Sequence, residues 1–512
     1  MDVLIFRPGA LVRQASMWVM VGTIALYLIL VLASDIGHLG EGVVMAFGFE
    51  LLAWGLSIAI VIESQSAFQV RISDPAVLMV LWATIYLVLP SIIWFVGQPV
   101  PWSQFLDAGT MIELLLLHGV FIFCLVVSYL ITRPAPCAGC TQAAVHGKTG
   151  WILLLLPALP LVLETARRVA GGGSLLPHET YGEWWFSLQA NVQASRESGG
   201  FDYFWTQIAN KAEYYPLLIQ GIGCGLVMAA ALETRRGRVW RLLALGGVIA
   251  FMLLFGTGRR TDVIIVCLAG VILCDFVGRP LRWRHLVPLL VAGLVLLDFM
   301  TAYRSNRNLP AQEAVSTSFV QYASPEYARL NEFTTMLGKE AVVVQLVKKD
   351  RSYLGAKYLV NQLLQIVPSQ LVPEKQSPES TGDLVSRLLL GRDYLAGAGS
   401  AGAAVGDGYR MAGPAGVALV AALIGLGIAG VERLLRGRAR TDRRPSLIRL
   451  CLWSGILAWT FLIIRSEPGN LLVVVVYSCL IPLVVLEYLL SWIPGAEEWI
   501  TPLEERIVSE SS

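Results

Sequence analysis

The chain consists of apolar runs of about twenty residues separated by short charged turns, and that repetition confines it to one architecture. A helix rising 1.5 Å per residue crosses a ~30 Å hydrocarbon layer in a run of this length. In lipid every backbone polar group must be satisfied within a helix or a closed barrel. The runs fall at roughly 15–34, 43–62, 76–97, 107–131, 151–166, 215–232, 239–257, 261–277, 285–302, 411–432, 448–465 and 469–493. Apolar residues are 55% of the 512 and charged residues 15%, against about 25% charged in soluble domains. The expectation is an all-α polytopic membrane protein with about 12 transmembrane helices. Val31-Leu32-Ala33 has the small-residue pattern of a signal-peptidase site, but the apolar run before it is longer than a signal h-region, so the first helix is read as uncleaved. The net charge of +2 says little about partners, because the charges are segregated by loop, and nucleic acid is not expected as a partner of so apolar a chain.

The apolar pattern is interrupted most strongly at 303–410, and the distribution of Lys and Arg assigns that stretch a side. With the N-terminus in the cytoplasm, one set of connections collects Arg71, Arg133, Lys148, Arg235, Arg279, Arg284 and the arginine-rich 433–449 turn. The opposite set of short connections holds only Arg259, Arg260 and Arg465. Positive charge marks the cytoplasmic side, so both termini are cytoplasmic in this reading. The organisation is then 1–302 as helices 1–9 with an outer loop at about 165–214, 303–410 as a large extracytoplasmic loop between helices 9 and 10, 411–493 as helices 10–12, and 494–512 as a cytoplasmic tail.

Neither outer loop contains a cysteine, so no disulfide orders them. Cys137 and Cys140 form an isolated CxxC on a cytoplasmic connection, without the second ligand pair of a zinc site. No metal or cofactor is expected. The outer arginines oppose the charge rule and therefore call for a compensating partner. Arg259 and Arg260 lie in Gly256-Thr257-Gly258-Arg259-Arg260-Thr261-Asp262, Arg465 opens Arg465-Ser466-Glu467-Pro468-Gly469, and Arg304 and Arg307 follow the ninth span. Guanidinium suits planar, bidentate recognition of phosphate, so these residues form a candidate surface for an anionic headgroup, with lipid anchoring as the plainer alternative. Four ionisable residues fall inside expected spans: Glu50, Glu113, His118 and Asp298. No transmembrane relay is evident from their spacing. Hydrogen bonding in the bundle interior is the expectation for Glu113 and His118, and a membrane-interface position for Asp298.

The end of the long polar stretch reads Gly399-Ser400-Ala401-Gly402-Ala403-Ala404-Val405-Gly406-Asp407-Gly408-Tyr409-Arg410-Met411-Ala412-Gly413-Pro414-Ala415-Gly416. A Gly- and Ser-rich approach, a Gly followed by an acid, an aromatic and a Gly-rich helix start resembles the end of the large outer loop of bacterial O-antigen polymerases of the Wzy type. Tyr353-Leu354-Gly355, the amphipathic stretch to Ile366, and Pro373-Glu374-Lys375 are similar to that family's loop, departing from its common Lys-Pro ending at Gln376. Arg259 and Gly270 match an Arg-x10-Gly spacing of the family.

The resemblance implies a membrane glycosyltransferase of the bacterial inner membrane. Its substrate would be undecaprenyl-pyrophosphate-linked oligosaccharide, joined outside the membrane, with membrane lipid as its surroundings and a chain-length co-polymerase (Wzz-type) as its protein partner. Such chemistry needs a cationic clamp on the leaving pyrophosphate and a base beside the acceptor hydroxyl. Clamp candidates are Arg259, Arg260, Arg304 and Arg465, then Arg410. Base candidates are Asp407, Glu332 and Asp383, with Asp407 first because it sits in the motif-like segment; a turn-stabilising Asp between two glycines is its structural alternative. An O-antigen ligase-like transferase would carry a histidine in the large loop, whereas His38, His118, His146, His178 and His285 all lie outside 303–410. A lipid-linked oligosaccharide flippase lacks so large a loop. A transferase using dolichol-phosphate sugars has an acidic pair in its first outer loop, where this chain has only Asp35 and Glu41.

Overall fold

The computed structural model describes residues 8–33, 39–64, 74–98, 105–133, 311–324, 331–350, 353–364, 404–436, 447–465 and 468–476, with scattered positions among 268–309 and isolated ones such as 381 and 385. All regular structure among the described residues is helical. Five helical stretches are long and apolar enough to cross a membrane: Ala15–Leu32, Glu41–Ser64, Pro75–Phe95, Ala108–Thr132 and Ala404–Leu434. They coincide with the first four expected spans and the tenth. The expected spans between 151 and 257, and the expected loop at 165–214, lie outside the described residues.

The bundle is built from α1 (Pro8–Ala33), α2 (Glu41–Ser64), α3 (Pro75–Ala83) continued through a π turn into α4 (Leu89–Phe95), and α5 (Ala108–Thr132). Helix starts are set locally. Asp74 accepts from Ala76 N at 2.8 Å with Pro75 in the first turn, and Asp107 accepts from Thr110 N at 2.7 Å. The π turn at Thr84–Val88 precedes Pro90, whose ring has no N–H and crowds the carbonyl four residues back. Widening the helix there relieves the crowding. One end of the bundle is tied by Arg133, at the close of α5, which donates to Ser64 O at 2.7 Å and lies 3.7 Å from Asp74. At the other end Gly42 meets Ile112, so α2 and α5 both begin there.

After α6 (Ala311–Ala323) come α7 (Asn331–Asp350) and α8 (Ala356–Leu364), all from the stretch read as an outer loop. Helix α7 packs into the bundle: Met336, Leu337, Ala341 and Val344 are in the same buried core as Phe121 and Val417. The sequence Glu340-Ala341-Val342-Val343-Val344 supplies that apolar face. Asp298 is buried.

Helix α9 (Ala404–Arg436) is interrupted at Ala412 and Gly413, where Gly413 has φ +63° and ψ −145°, a conformation available to glycine. Pro414 also disfavours helical geometry at the preceding residue. Residues 414–436 alone rise about 33 Å, enough for a full crossing. The short segment 404–411 folds back on them, bringing Gly408 against the backbone of Gly416 and Val417. A Cβ at Gly408 would sit 2.7 Å from Val417 Cα. Farther along, Gly425 lets α9 approach the Leu125–Ser128 backbone of α5. The chain ends its described part in α10 (Leu447–Ala458), a 3-10 turn at Trp459–Phe461, α11 (Leu462–Arg465) and α12 (Pro468–Val475).

Candidate functional site

The interruption in α9 frees backbone groups, and the polypeptide after α7 satisfies them. Leu354 N donates to Arg410 O and Gly355 N to Met411 O, both at 2.9 Å, capping the short half-helix from outside. This pins the start of α8 beside the break. Tyr358 of α8 then donates its hydroxyl to Asp407 Oδ1 at 2.7 Å, and Thr381 Oγ1 donates to the same oxygen. Arg410 Nη1 donates to Thr381 Oγ1 at 2.9 Å, and its guanidinium carbon lies 5.5 Å from the centroid of the Tyr358 ring. Asp407 is 1% and Arg410 7% exposed. An acid and a guanidinium are therefore held one turn apart, bridged by Thr381 and by the tyrosine that bonds one and makes a cation–π contact with the other.

Next to them Tyr409 donates to Glu113 of α5, whose other carboxylate oxygen pairs with Lys348 Nζ of α7 at 2.5 Å. Tyr353 meets Tyr409 edge-on at 6.3 Å and abuts Gly413. Glu113 is five residues from the start of α5, about 8 Å down the axis, so this group lies near the end of the bundle. Closer still to that end, Gln345 Nε2 donates to Phe105 O at 2.8 Å and to Asp107 Oδ2 at 2.9 Å. The backbone N–H of Thr110, helped by its hydroxyl, Gln345 and the Lys348 charge, holds the carboxyl of the exposed Asp107 below the usual aspartate range against a smaller opposing effect of desolvation. These bonds fix the C-terminal half of α7 against α5.

A second polar group lies deeper. His118 is ten residues into α5, about 15 Å along the axis and thus midway through a ~30 Å layer. Its Nδ1 is 3.0 Å from Glu50 Oε1 of α2 and its Nε2 is 2.7 Å from Glu340 Oε2 of α7. Ser91 of α4 donates to Glu50 Oε1 at 3.1 Å. The expectation of hydrogen bonding in the bundle interior holds for His118, which is buried, whereas Glu113 is hydrogen-bonded but half-buried near the end of the bundle.

Of the residues singled out in the sequence, Asp407 and Arg410 are brought together. Asp407 sits within a helical turn that it shares with Arg410. Arg465 ends α11 and is half-buried. Glu332 is in the first turn of α7, eleven residues or about 16 Å along the axis from Val343, whose methyls touch the position of Gly406. Glu332 is thus on the part of α7 remote from the break. Arg259, Arg260, Arg304 and Asp383 lie outside the described residues.

Sequence reasoning missed Tyr358, Thr381, Tyr353 and Lys348 at the break, and Glu340 in the deeper group. Glu340 left one signal, a lone acid directly before Ala341-Val342-Val343-Val344. Thr381 left none. No group of three or more His, Cys, Asp or Glu suited to a metal ion occurs among the described residues.

The fold and these clusters define an all-helical protein with apolar helices of membrane-spanning length and charged groups buried between them. Comparison of the chain with family models, with curated proteins and with solved structures returns no match.

Proposed function

We propose that the chain is a polymerase joining undecaprenyl-pyrophosphate-linked oligosaccharide repeat units on the outer face of the bacterial inner membrane, in the synthesis of a surface polysaccharide. The observation that carries this reading is the pairing of Asp407 and Arg410 on one buried turn beside the break in α9. These are the acid and the arginine of the segment whose sequence resembles the Wzy-type loop. By the positive-inside reading, the end of the bundle where α5 begins is the outer end, which puts the pair on the side where such substrates are used.

The reaction breaks the bond between the anomeric carbon of the growing glycan and its pyrophosphate, and forms one from that carbon to a hydroxyl oxygen of the next repeat unit. The hydroxyl proton passes to the Asp407 carboxylate, which Tyr358 and Thr381 aim. Polyprenyl pyrophosphate leaves with the electron pair of the broken bond. Arg410 contributes charge stabilisation of that leaving group, joined in this reading by Arg259, Arg260, Arg304 and Arg465. The cation–π contact with Tyr358 and the bond to Thr381 hold the guanidinium in place, which matters for a two-pronged grip on phosphate oxygens.

The test is reconstitution. Purified protein given lipid-pyrophosphate-linked repeat units, without nucleotide sugar or ATP, should produce a ladder of longer glycans still attached to lipid. A product formed only when a lipid A–core acceptor is added would favour the ligase-like reading. The buried Glu50–His118–Glu340 group, together with a broken helix, favours a second reading as a transporter of lipid-linked oligosaccharide, because ionisable groups at membrane depth mark proton pathways. Movement of labelled lipid-linked substrate across liposomes with no new glycosidic bond would support that reading and overturn the polymerase.

A further inference from the structure

His118 makes contact with a carboxylate through each ring nitrogen, and those two contacts require two protons between nitrogen and oxygen. With these protons alone, the three side chains carry one net negative charge. Glu50 and His118 are 0% and Glu340 is 1% exposed. The remaining oxygens, Glu50 Oε2 and Glu340 Oε1, are buried and have no hydrogen-bond partner among the described residues. Among the described residues, the charged groups that meet at this point are Glu50 from α2, His118 from α5 and Glu340 from α7, and α4 supplies the neutral Ser91. Lys348 of α7 is engaged with Glu113 instead. A net charge enclosed in this apolar core is strongly disfavoured unless it is neutralised, and one more proton neutralises it.

We propose that Glu50, His118 and Glu340 form a buried proton-binding site that holds three exchangeable protons: two in the contacts of His118 and a third on Glu50 Oε2 or Glu340 Oε1. The site joins two helices of the N-terminal bundle to α7, so the third proton allows α7 to dock as part of a neutral core. The arrangement stands apart from the Asp407–Arg410 pair and is independent of the polymerase reading.

Charge counting makes the test specific. Infrared difference spectra of the purified full-length protein should show one protonated-carboxyl carbonyl band per chain that is assignable to this site. Glu50→Gln and Glu340→Gln should each abolish that band, because one carboxylate and one imidazolium are already neutral. His118→Gln should double it, because two carboxyls without a cation both need a proton. A spectrum unchanged by Glu50→Gln and Glu340→Gln overturns the proposal, as does a His118→Gln band no larger than that of the unaltered protein. Should a variant fail to fold, the unaltered protein suffices. Dicyclohexylcarbodiimide, an apolar reagent for protonated carboxyls, should modify Glu50 or Glu340 on peptide mapping, and modification of neither overturns the site.

Discussion

The two buried polar clusters solve the same problem in opposite ways. At the break in α9, the backbone itself is irregular, and charges of both signs are present: Asp407 with Arg410, Glu113 with Lys348. Around His118 the three helices are regular, yet acid outnumbers base two to one. The first cluster is held by hydroxyls and amides contributed from Tyr358, Thr381, Leu354 and Gly355. The second is held by one imidazole and the Ser91 hydroxyl. Neutrality thus comes from opposite charges and multiple donors at the break, and from bound protons in the bundle.

The largest effect should come from removing the geometry of the break itself. Gly408→Val places a side chain against the Val417 backbone, which cannot retreat, so loss of folded protein in detergent is expected. A well-folded Gly408→Val protein would mean that 404–411 does not fold back on the rest of α9. Next is Arg410→Lys, which keeps charge and loses the fork and its contact with Tyr358. Glycan ladder formation should fall on the order of a hundredfold, the scale of losing one oriented donor to developing charge, with protein level unchanged. Full activity in Arg410→Lys would reduce the arginine to a structural role. Asp407→Asn should lower ladder formation while leaving binding of the lipid-linked substrate intact, and loss of binding would argue against Asp407 as the base.

A smaller effect sharpens the contrast from the structural side. Tyr358→Phe removes one hydrogen bond to a carboxylate and should destabilise the protein by about 1–3 kcal/mol in thermal unfolding. The smallest concerns the cap of α5. The folded-state pKa of Asp107 is depressed, so its contribution is present above the usual aspartate value and is lost as pH falls through the folded value. Asp107→Ala should therefore lower the melting temperature near neutral pH, and the gap from the unaltered protein should narrow in acid. A gap independent of pH would assign the cap no electrostatic share.

The expected spans at 15–34, 43–62, 76–97, 107–131 and 411–432 coincide with helices because an apolar run of that length has only one way to satisfy its backbone in lipid. Asp407 and Arg410 were legible for a related reason, since two charged residues at the edge of such a run demand an explanation. Thr381 was not legible. It lies 26 residues from Asp407 in the sequence, and nothing local marks it as a partner. Helix α7 carries polar residues along most of its length, and that average hid its core-facing side.

What the sequence determined by itself was the class of molecule and the position of each apolar helix described here, whereas the break at Gly413 and Pro414 falls inside the expected tenth span and is a finding of the structure. Class and position both follow from short-range chemistry: hydropathy and the need of a backbone in lipid to satisfy its polar groups within a helix. Only the tertiary structure decided that α7 leaves the polar stretch to insert Glu340 beside His118, 222 residues away in sequence, and that Tyr358 and Thr381 converge on Asp407. Such pairings depend on which helix faces meet, and a buried charge finds its partner by proximity in space, whatever their separation along the chain.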